Sequence, residues 1–391
     1  MKLKIFCLAL AMTITSSLLA TTPQEILNLI GTSPQFEILS QQNNHEVALS
    51  NLQNQLDGPE IEFDYLWGEN QSRKISFGIT QNFEWFGAYR IRNKIVENTK
   101  NTVLLTQAQS LMEMKYEASR LLVKLMYCKK RIEMMSEIHS NLQLINTSLD
   151  DALEYGMITI LDKKKSGLEL ATLSISIERL KKEQVSLTLE LEQLTGSKID
   201  IDQIDWEAMA TMFQIHEYEY YIEKAKIDPA FLIEKSKRYG AELVAKEAKM
   251  TTLPGVGIGY RYEREENINF HGFSVSLNLP TWGISKARKA SQYLINAATI
   301  SETNQYNINL NRIEKEYKTA CELRNELQIL KKQGFDGSYV ALLKETHEGG
   351  EISLLQLLIE QGYYRDATLQ LLEIEEEYAL LLASLNRYDN I

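Results

Sequence analysis

The chain has 391 residues, of which 24% are charged, and its formal net charge at neutral pH is -11. A surface this acidic excludes the concentrated basic face that nucleic acid requires, so no nucleic-acid partner is expected. Three cysteines in such a length make no disulfide framework.

Residues 1–20, MKLKIFCLALAMTITSSLLA, carry Lys2 and Lys4, then an apolar stretch from Ile5 to about Ile14, then small residues ending at Ala20. This is the pattern of a secretory signal peptide cleaved before Thr21. The apolar stretch is too short to be a membrane anchor. Cleavage removes two lysines and no acid, which takes the net charge from -11 to -13. Cys128 and Cys321 remain, both in helical patterns and preferably read as two unpaired thiols, although a single bridge between them is an alternative. No apolar run of about 18 residues follows, so any membrane crossing must be made by strands.

The first strand candidates are PEIEFDYLW (59–67) and KISFGITQNF (74–83). Ile61, Phe63, Tyr65 and Trp67 alternate with Glu62, Asp64 and Leu66; Ile75, Phe77 and Ile79 alternate with Ser76, Gly78 and Thr80. Val256, Ile258, Tyr260 and Tyr262, then Phe273, Val275, Leu277 and Leu279, repeat the pattern later. Period-two alternation means strands with one wet face, and the polar connectors 68–73 and 264–269 make each pair a hairpin. A half-buried soluble sheet alternates in the same way. Three details favour a membrane instead: strand lengths near the roughly 9–11 residues a tilted transmembrane strand needs, Trp67, Trp85 and Trp282 at strand ends, and the export signal.

The rest is helical and long. From about Tyr89 to Ile145 there is neither Pro nor Gly, and Leu121, Leu125, Cys128, Ile132, Met135, Leu142 and Ile145 keep steps of 3, 4 or 7. Leu173, Ile177, Leu180, Leu187, Leu191 and Leu194 continue the rhythm on the way back. This is coiled-coil spacing. Between the two stretches stands EYGMITILD (154–162), and EGGEISLLQ (348–356) resembles it 194 positions later. In each, a helix-ending glycine (Gly156, Gly350) precedes a capping box, Thr159 with Asp162 and Ser353 with Gln356. Similar offsets relate Pro59 to Pro254, NFEWFG (82–87) to NLPTWG (278–283), and Cys128 to Cys321.

The chain therefore reads as a tandem duplication. The first repeat is 21–218, with hairpin 59–85, helical hairpin 88–196 and tip 154–162. The second is 219–391, with hairpin 254–282, helical hairpin 284–388 and tip 348–356. Four strands cannot close a barrel, and bare edges in hydrocarbon leave backbone groups unsatisfied at several kcal/mol each. Two chains would supply eight strands and a filled interior; three would supply twelve and a lumen.

The signal peptide, the duplicated hairpins and helical hairpins, the NFEWFG and NLPTWG strand exits and the Gly-x-x-Ser/Thr tips together resemble the TolC-like outer-membrane efflux family, over about residues 24–390. The WFGAYR exit is similar to the heavy-metal cation efflux branch. The resemblance implies a homotrimer in the outer membrane: a twelve-stranded transmembrane β-barrel continuous with an α-helical tunnel across the periplasm. It also implies a periplasmic adaptor protein and an inner-membrane pump, proton-driven (RND type) or ATP-driven (ABC type). The chain would be a passive conduit of a tripartite efflux or type I secretion system. Gly156, Thr159, Asp162, Gly350, Ser353, Gln356 and Ile359 would form the periplasmic tip and gate, while Trp67, Trp85, Phe86 and Trp282 would stand at the membrane interface. The gate acids of the family fall on Gln356 and Ile359, which carry no charge, so no acidic ring is expected there.

An exported coiled-coil scaffold or adaptor with a soluble sheet, its aromatics forming a core, is the alternative. No enzyme is expected: G-x-S-x-G, P-loop and H-E-x-x-H motifs are missing from the sequence. The five histidines are scattered without metal-ligand spacing, so neither cofactor nor metal is expected.

Overall fold

The computed structural model describes residues 21–52, 54–68, 73–266, 268–279, 284–332 and 338–390. The signal-peptide reading, the tip of the first β-hairpin connector and Trp282 lie outside them. In chain order the elements are α1 (Pro23–Leu29), α2 (Pro34–Leu52), β1 (Glu60–Trp67), β2 (Arg73–Phe83), α3 (Phe86–Glu154), α4 (Ile160–Thr195), α5 (Trp206–Thr211), α6 (Tyr218–Lys226), α7 (Pro229–Met250), β3 (Gly255–Glu265), β4 (Ile268–Asn278), α8 (Ile284–Lys331), α9 (Ser338–Glu348) and α10 (Leu354–Leu385).

The helix boundaries follow local chemistry. Thr22 and Glu25 form a reciprocal capping box ahead of α1. Asp228 caps α7 through the Ala230 N–H, with Pro229 at the first helical position, where its missing N–H costs nothing. After the first strand pair a single 69-residue helix leaves the sheet, as a sequence with no Pro and with its one Gly, Gly87, in the first turn allows. In the second repeat α8 ends at Lys331 and α9 starts at Ser338.

The chain forms two compact units. Among the described residues, one comprises 21–30, 118–214 and 338–376; the other comprises 31–117, 215–332 and 377–390. In the first, most of the near-heptad residues are buried, Leu121, Leu125, Cys128, Met135 and Leu142 on α3 and Leu173, Ile177, Leu187 and Leu191 on α4, while Ile132, Ile145, Leu180 and Leu194 are half-buried; Leu122, Val123, Met126 and Tyr127 are buried outside that spacing. Ile138, Leu142 and Leu173 pack into one cluster. Both thiols are free. Burial pushes the Cys128 thiol up to about 11, and its S–H donates to the Leu180 carbonyl at 3.3 Å, which leaves it inert.

The second unit holds the sheet and a cluster of Tyr221, Ala225, Ile313, Ala320 and Leu385. Beside it the Tyr388 hydroxyl donates to Asp228 Oδ2 at 2.6 Å and accepts from Arg312 Nη2 at 2.6 Å, which ties the C-terminal end to the start of α7. The sheet is a four-stranded antiparallel meander in the order β1-β2-β3-β4. The register aligns Ile61, Ile79, Tyr260 and Phe273 in one row across it. The strands of the second hairpin run further than the sequence pattern indicates. Residues 264–269 are not a connector: β3 continues to Glu265, β4 starts at Ile268, and Glu266 turns the chain with φ of 45°. Polar residues extend these strands because their backbone pairing does not depend on side-chain polarity.

Gly259 has a geometric role. A Cβ there would stand 2.8 Å from the Ile79 carbonyl oxygen, whereas a Cβ at Gly272 would meet nothing within 4 Å. Gly259→Val is expected to cost about 1–3 kcal/mol, as overpacking does, and Gly272→Val to stay near neutral. Thermal unfolding of the purified variants checks the contrast.

Candidate functional site: paired tips and an outward apolar sheet

Both tips are built by the same bonds. At the first, Gly156 adopts φ of 70°, its N–H donates to the Leu153 carbonyl at 3.1 Å, and the Met157 N–H donates to the Ala152 carbonyl at 2.8 Å. At the second, Gly350 adopts φ of 76°, its N–H donates to the His347 carbonyl at 3.0 Å, and the Glu351 N–H donates to the Thr346 carbonyl at 2.9 Å. Each is a Schellman ending, which needs a left-handed residue and so favours glycine.

The restarts differ. Thr159 Oγ1 accepts from the Asp162 N–H at 3.2 Å and the Asp162 carboxylate accepts from the Thr159 N–H at 3.0 Å, a complete capping box. At the second tip the Gln356 N–H reaches Ser353 Oγ at 3.2 Å, but among the described residues no bond returns from the Gln356 side chain. The His347 ring instead bonds the Ile352 carbonyl through Nδ1 at 3.1 Å and braces the turn.

The two motifs, far apart in sequence, meet in space. Leu149, Leu343 and Leu357 form a buried cluster, with Ile158 of the first tip and Ile352 of the second packed against it. Gln356 and Ile359 sit on the exposed side of α10, Ile359 beside Tyr363 one turn later. Arg365 on α10 bonds Glu169 on α4 as well as its neighbour Asp366. Burial alone would lower the Arg365 pKa, but Asp366 and Glu169 outweigh it and hold the guanidinium above its ordinary range. Reading by motif missed this pair; its signal was opposite charge at a separation of 196, close to the repeat offset. Lys163 pairs with Asp150 across the first tip.

The sheet has an unusual polarity. Ile61, Phe63, Ile258, Phe273, Val275 and Leu277 are 54–89% exposed, while Ser76, Gly78, Gly257 and Gly259 on the opposite face are buried. That polar face carries charges in pairs: Lys74 with Glu263 at 2.8 Å and Arg261 with both Asp64 and Glu263 at 3.3 Å. From Phe83 to Arg73, β2 spans ten residue steps, about 33 Å of strand, which a tilt of about 40° reduces to about 25 Å. Trp67 marks one end of the sheet, and Trp85 and Phe86 follow the other, with Trp67 and Phe86 about four-fifths exposed. Among the described residues no helix is long and apolar enough to cross a membrane, and no group of His, Cys, Asp and Glu could hold a metal ion.

No protein-family model matches the sequence, and no curated protein matches it significantly. Solved structures do match the fold. A membrane protein from Pseudomonas aeruginosa aligns with a TM-score of 0.76 at 12% identity, covering 94% of this chain and 89% of that one. The CmeC outer-membrane channel of Campylobacter jejuni aligns at 0.73 and 11% identity, covering 94% and 85%. The MtrE outer-membrane channel of Neisseria gonorrhoeae, in its open state, aligns at 0.73 and 10% identity, covering 94% and 88%. The chain has the fold of the TolC-like outer-membrane channels.

The first tip carries a pH signature. The Thr159 hydroxyl, then its N–H, hold the Asp162 carboxyl below the usual carboxylate range. A lowered folded pKa adds stability above the unfolded value of about 3.9, and that stability is lost as pH falls through the folded value. Thr159→Ala, which removes the cap, should therefore weaken the start of α4 at neutral pH. The difference from wild type should shrink below about pH 4, as read by amide hydrogen exchange over residues 160–165.

Proposed function

We propose that the protein is the outer-membrane channel of a tripartite efflux or type I secretion system, a passive conduit from periplasm to exterior. The observation that carries this reading is the outward apolar face of the sheet. A soluble sheet, as in the exported-scaffold alternative, hides its apolar side chains; here Phe63, Phe273 and Val275 are exposed, while Ser76, Gly78, Gly257 and Gly259 on the opposite face are buried. Water would not tolerate that face, and lipid would.

The meander leaves β1 and β4 as edges, and hydrocarbon does not tolerate bare edges. Three copies, each joining its β1 to the next copy's β4, supply twelve strands with the ion-paired face inward around water. Each copy supplies two helical hairpins to the tunnel, so each needs two tips, and these would meet a periplasmic adaptor joined to an RND- or ABC-type inner-membrane pump. Gly156, Thr159, Asp162, Gly350 and Ser353 shape the tips, while Gln356 and Ile359 line the gate on the uncharged face of α10. Trp67, Trp85 and Phe86, with Trp282, mark the membrane interfaces. The fold shared with outer-membrane channels supports localisation to the outer membrane with an extension into the periplasm. Transport energy comes from the pump, and no catalytic group is needed.

Expressed with its leader in a diderm host, the protein should fractionate with outer membranes, resist extraction without detergent, purify at three times the protomer mass and conduct ions in planar bilayers. A monomer released from the periplasm without detergent, or a purified protein that passes no current, would contradict the proposal.

A further inference from the structure

The charge of this acidic chain is unevenly spread. Residues 86–96, the start of α3, contain Arg90, Arg92 and Lys94 and no acid; residues 284–301, the start of α8, contain Lys286, Arg288 and Lys289 and no acid. Arg90 and Lys286 are 196 positions apart, as are Arg92 and Arg288, and this is the offset that relates the two strand exits. Arg92 is consumed by Glu84 and Glu247, each at 2.6 Å. The other cations at these two helix starts are exposed and form no ion pair with a described residue.

Between α7 and α8 these charges border a groove of about 380 Å³. Ala245 and Ala248 give it a small-residue floor, Lys249 and Arg288 face it from the two helices, and Thr252 and Ser291 add hydroxyls. Met250, the last residue of α7, is followed closely by β3, which starts at Gly255, and α8 starts at Ile284, soon after β4 ends at Asn278. The groove is therefore beside the end of the sheet where Trp85 and Phe86 stand, at the border of the outward apolar band. Neutral solvated helix surfaces intersperse both signs of charge; these helix starts do not.

We propose that the α7–α8 groove binds the phosphate of an anionic phospholipid headgroup in the periplasm-facing leaflet, with the exposed cations of α3 and α8 forming a basic collar at headgroup depth. The proposal rests on the reading that the sheet lies in lipid. Arg288 supplies a planar fork that matches two phosphate oxygens, and Lys249 a mobile point charge. The Thr252 and Ser291 hydroxyls, which donate to the Lys249 and Ala287 carbonyls at 2.7 and 2.9 Å, can rotate to reach the remaining oxygens. The acyl chains continue along the apolar face past Leu277 and Val275. Basic pockets and polybasic segments beside membrane spans recognise anionic lipids in this way.

The test is electron spin resonance of the full-length protein reconstituted in phosphatidylcholine vesicles, comparing spin-labelled phosphatidylglycerol with spin-labelled phosphatidylcholine at the protein surface. Wild type should immobilise the anionic lipid at least about threefold more than the neutral one, with the excess falling as salt rises. The variant Lys249→Gln/Arg288→Gln should lose most of that preference, and adding Lys286→Gln and Lys289→Gln should remove the rest, while both still insert. Equal immobilisation of the two lipids by wild type, or an unchanged preference in an inserted variant, would overturn the proposal. Displacement of the lipid by millimolar inorganic phosphate would overturn it too, since the groove would then be a free-anion site. Failure of wild type to insert at all would refute the channel reading instead.

Discussion

A backbone amide or carbonyl cannot be left unpaired in hydrocarbon without losing several kcal/mol, and the proposed assembly follows from that limit. The sheet turns its apolar side outward, with Phe273 and Val275 largely exposed, and pairs its charges Lys74, Arg261, Asp64 and Glu263 on the inner side. In the proposed assembly the outward face meets lipid and the edges meet other strands. One chain has four strands and two free edges. On the proposed reading, closure comes from further copies, and a lumen from more than two of them.

The proposed duplication would account for the helical part. Each hairpin of strands feeds a hairpin of helices, and each helical hairpin needs one tight reversal. The two reversals use the same pair of backbone bonds around Gly156 and Gly350, and Ile158 and Ile352 fold back onto one shared cluster. They diverge in how the next helix begins: Asp162 completes a capping box, whereas Gln356 does not and His347 braces the turn. The two tips are thus equal in shape and unequal in fastening. Arg365 and Glu169 add a tie between α10 and α4 above them.

Much of this was legible in the sequence because it rests on short-range chemistry. Alternation along Ile61–Trp67 and Ile75–Ile79 identified strands, the near-heptad spacing from Leu121 to Leu142 identified the buried stripe of α3, and Gly156 with Thr159 and Asp162 identified the first tip. What escaped depends on contacts between distant segments or on backbone pairing alone. The extra pairing of Arg264 and Glu265 in β3 carries no apolar signal, so it read as loop. His347 looked incidental because its partner is a carbonyl, which sequence does not reveal. Arg365 and Glu169 were two ordinary surface charges until the fold brought them together. Alternation also left open which face of the sheet is covered; exposure of Phe63 and burial of Ser76 decide it.

The most direct measurement of the central claim is the accessibility of nitroxide labels placed singly along β4 and β1 in the reconstituted protein. Labels at Val275 and Phe63 should relax with dissolved oxygen, which partitions into lipid, and ignore a water-soluble nickel chelate; labels at Ser274 and Glu62 should do the reverse. Shielding of the Val275 and Phe63 labels from both reagents, or their free access to the nickel chelate, would contradict the account, because the apolar face would then belong to a protein core or to water.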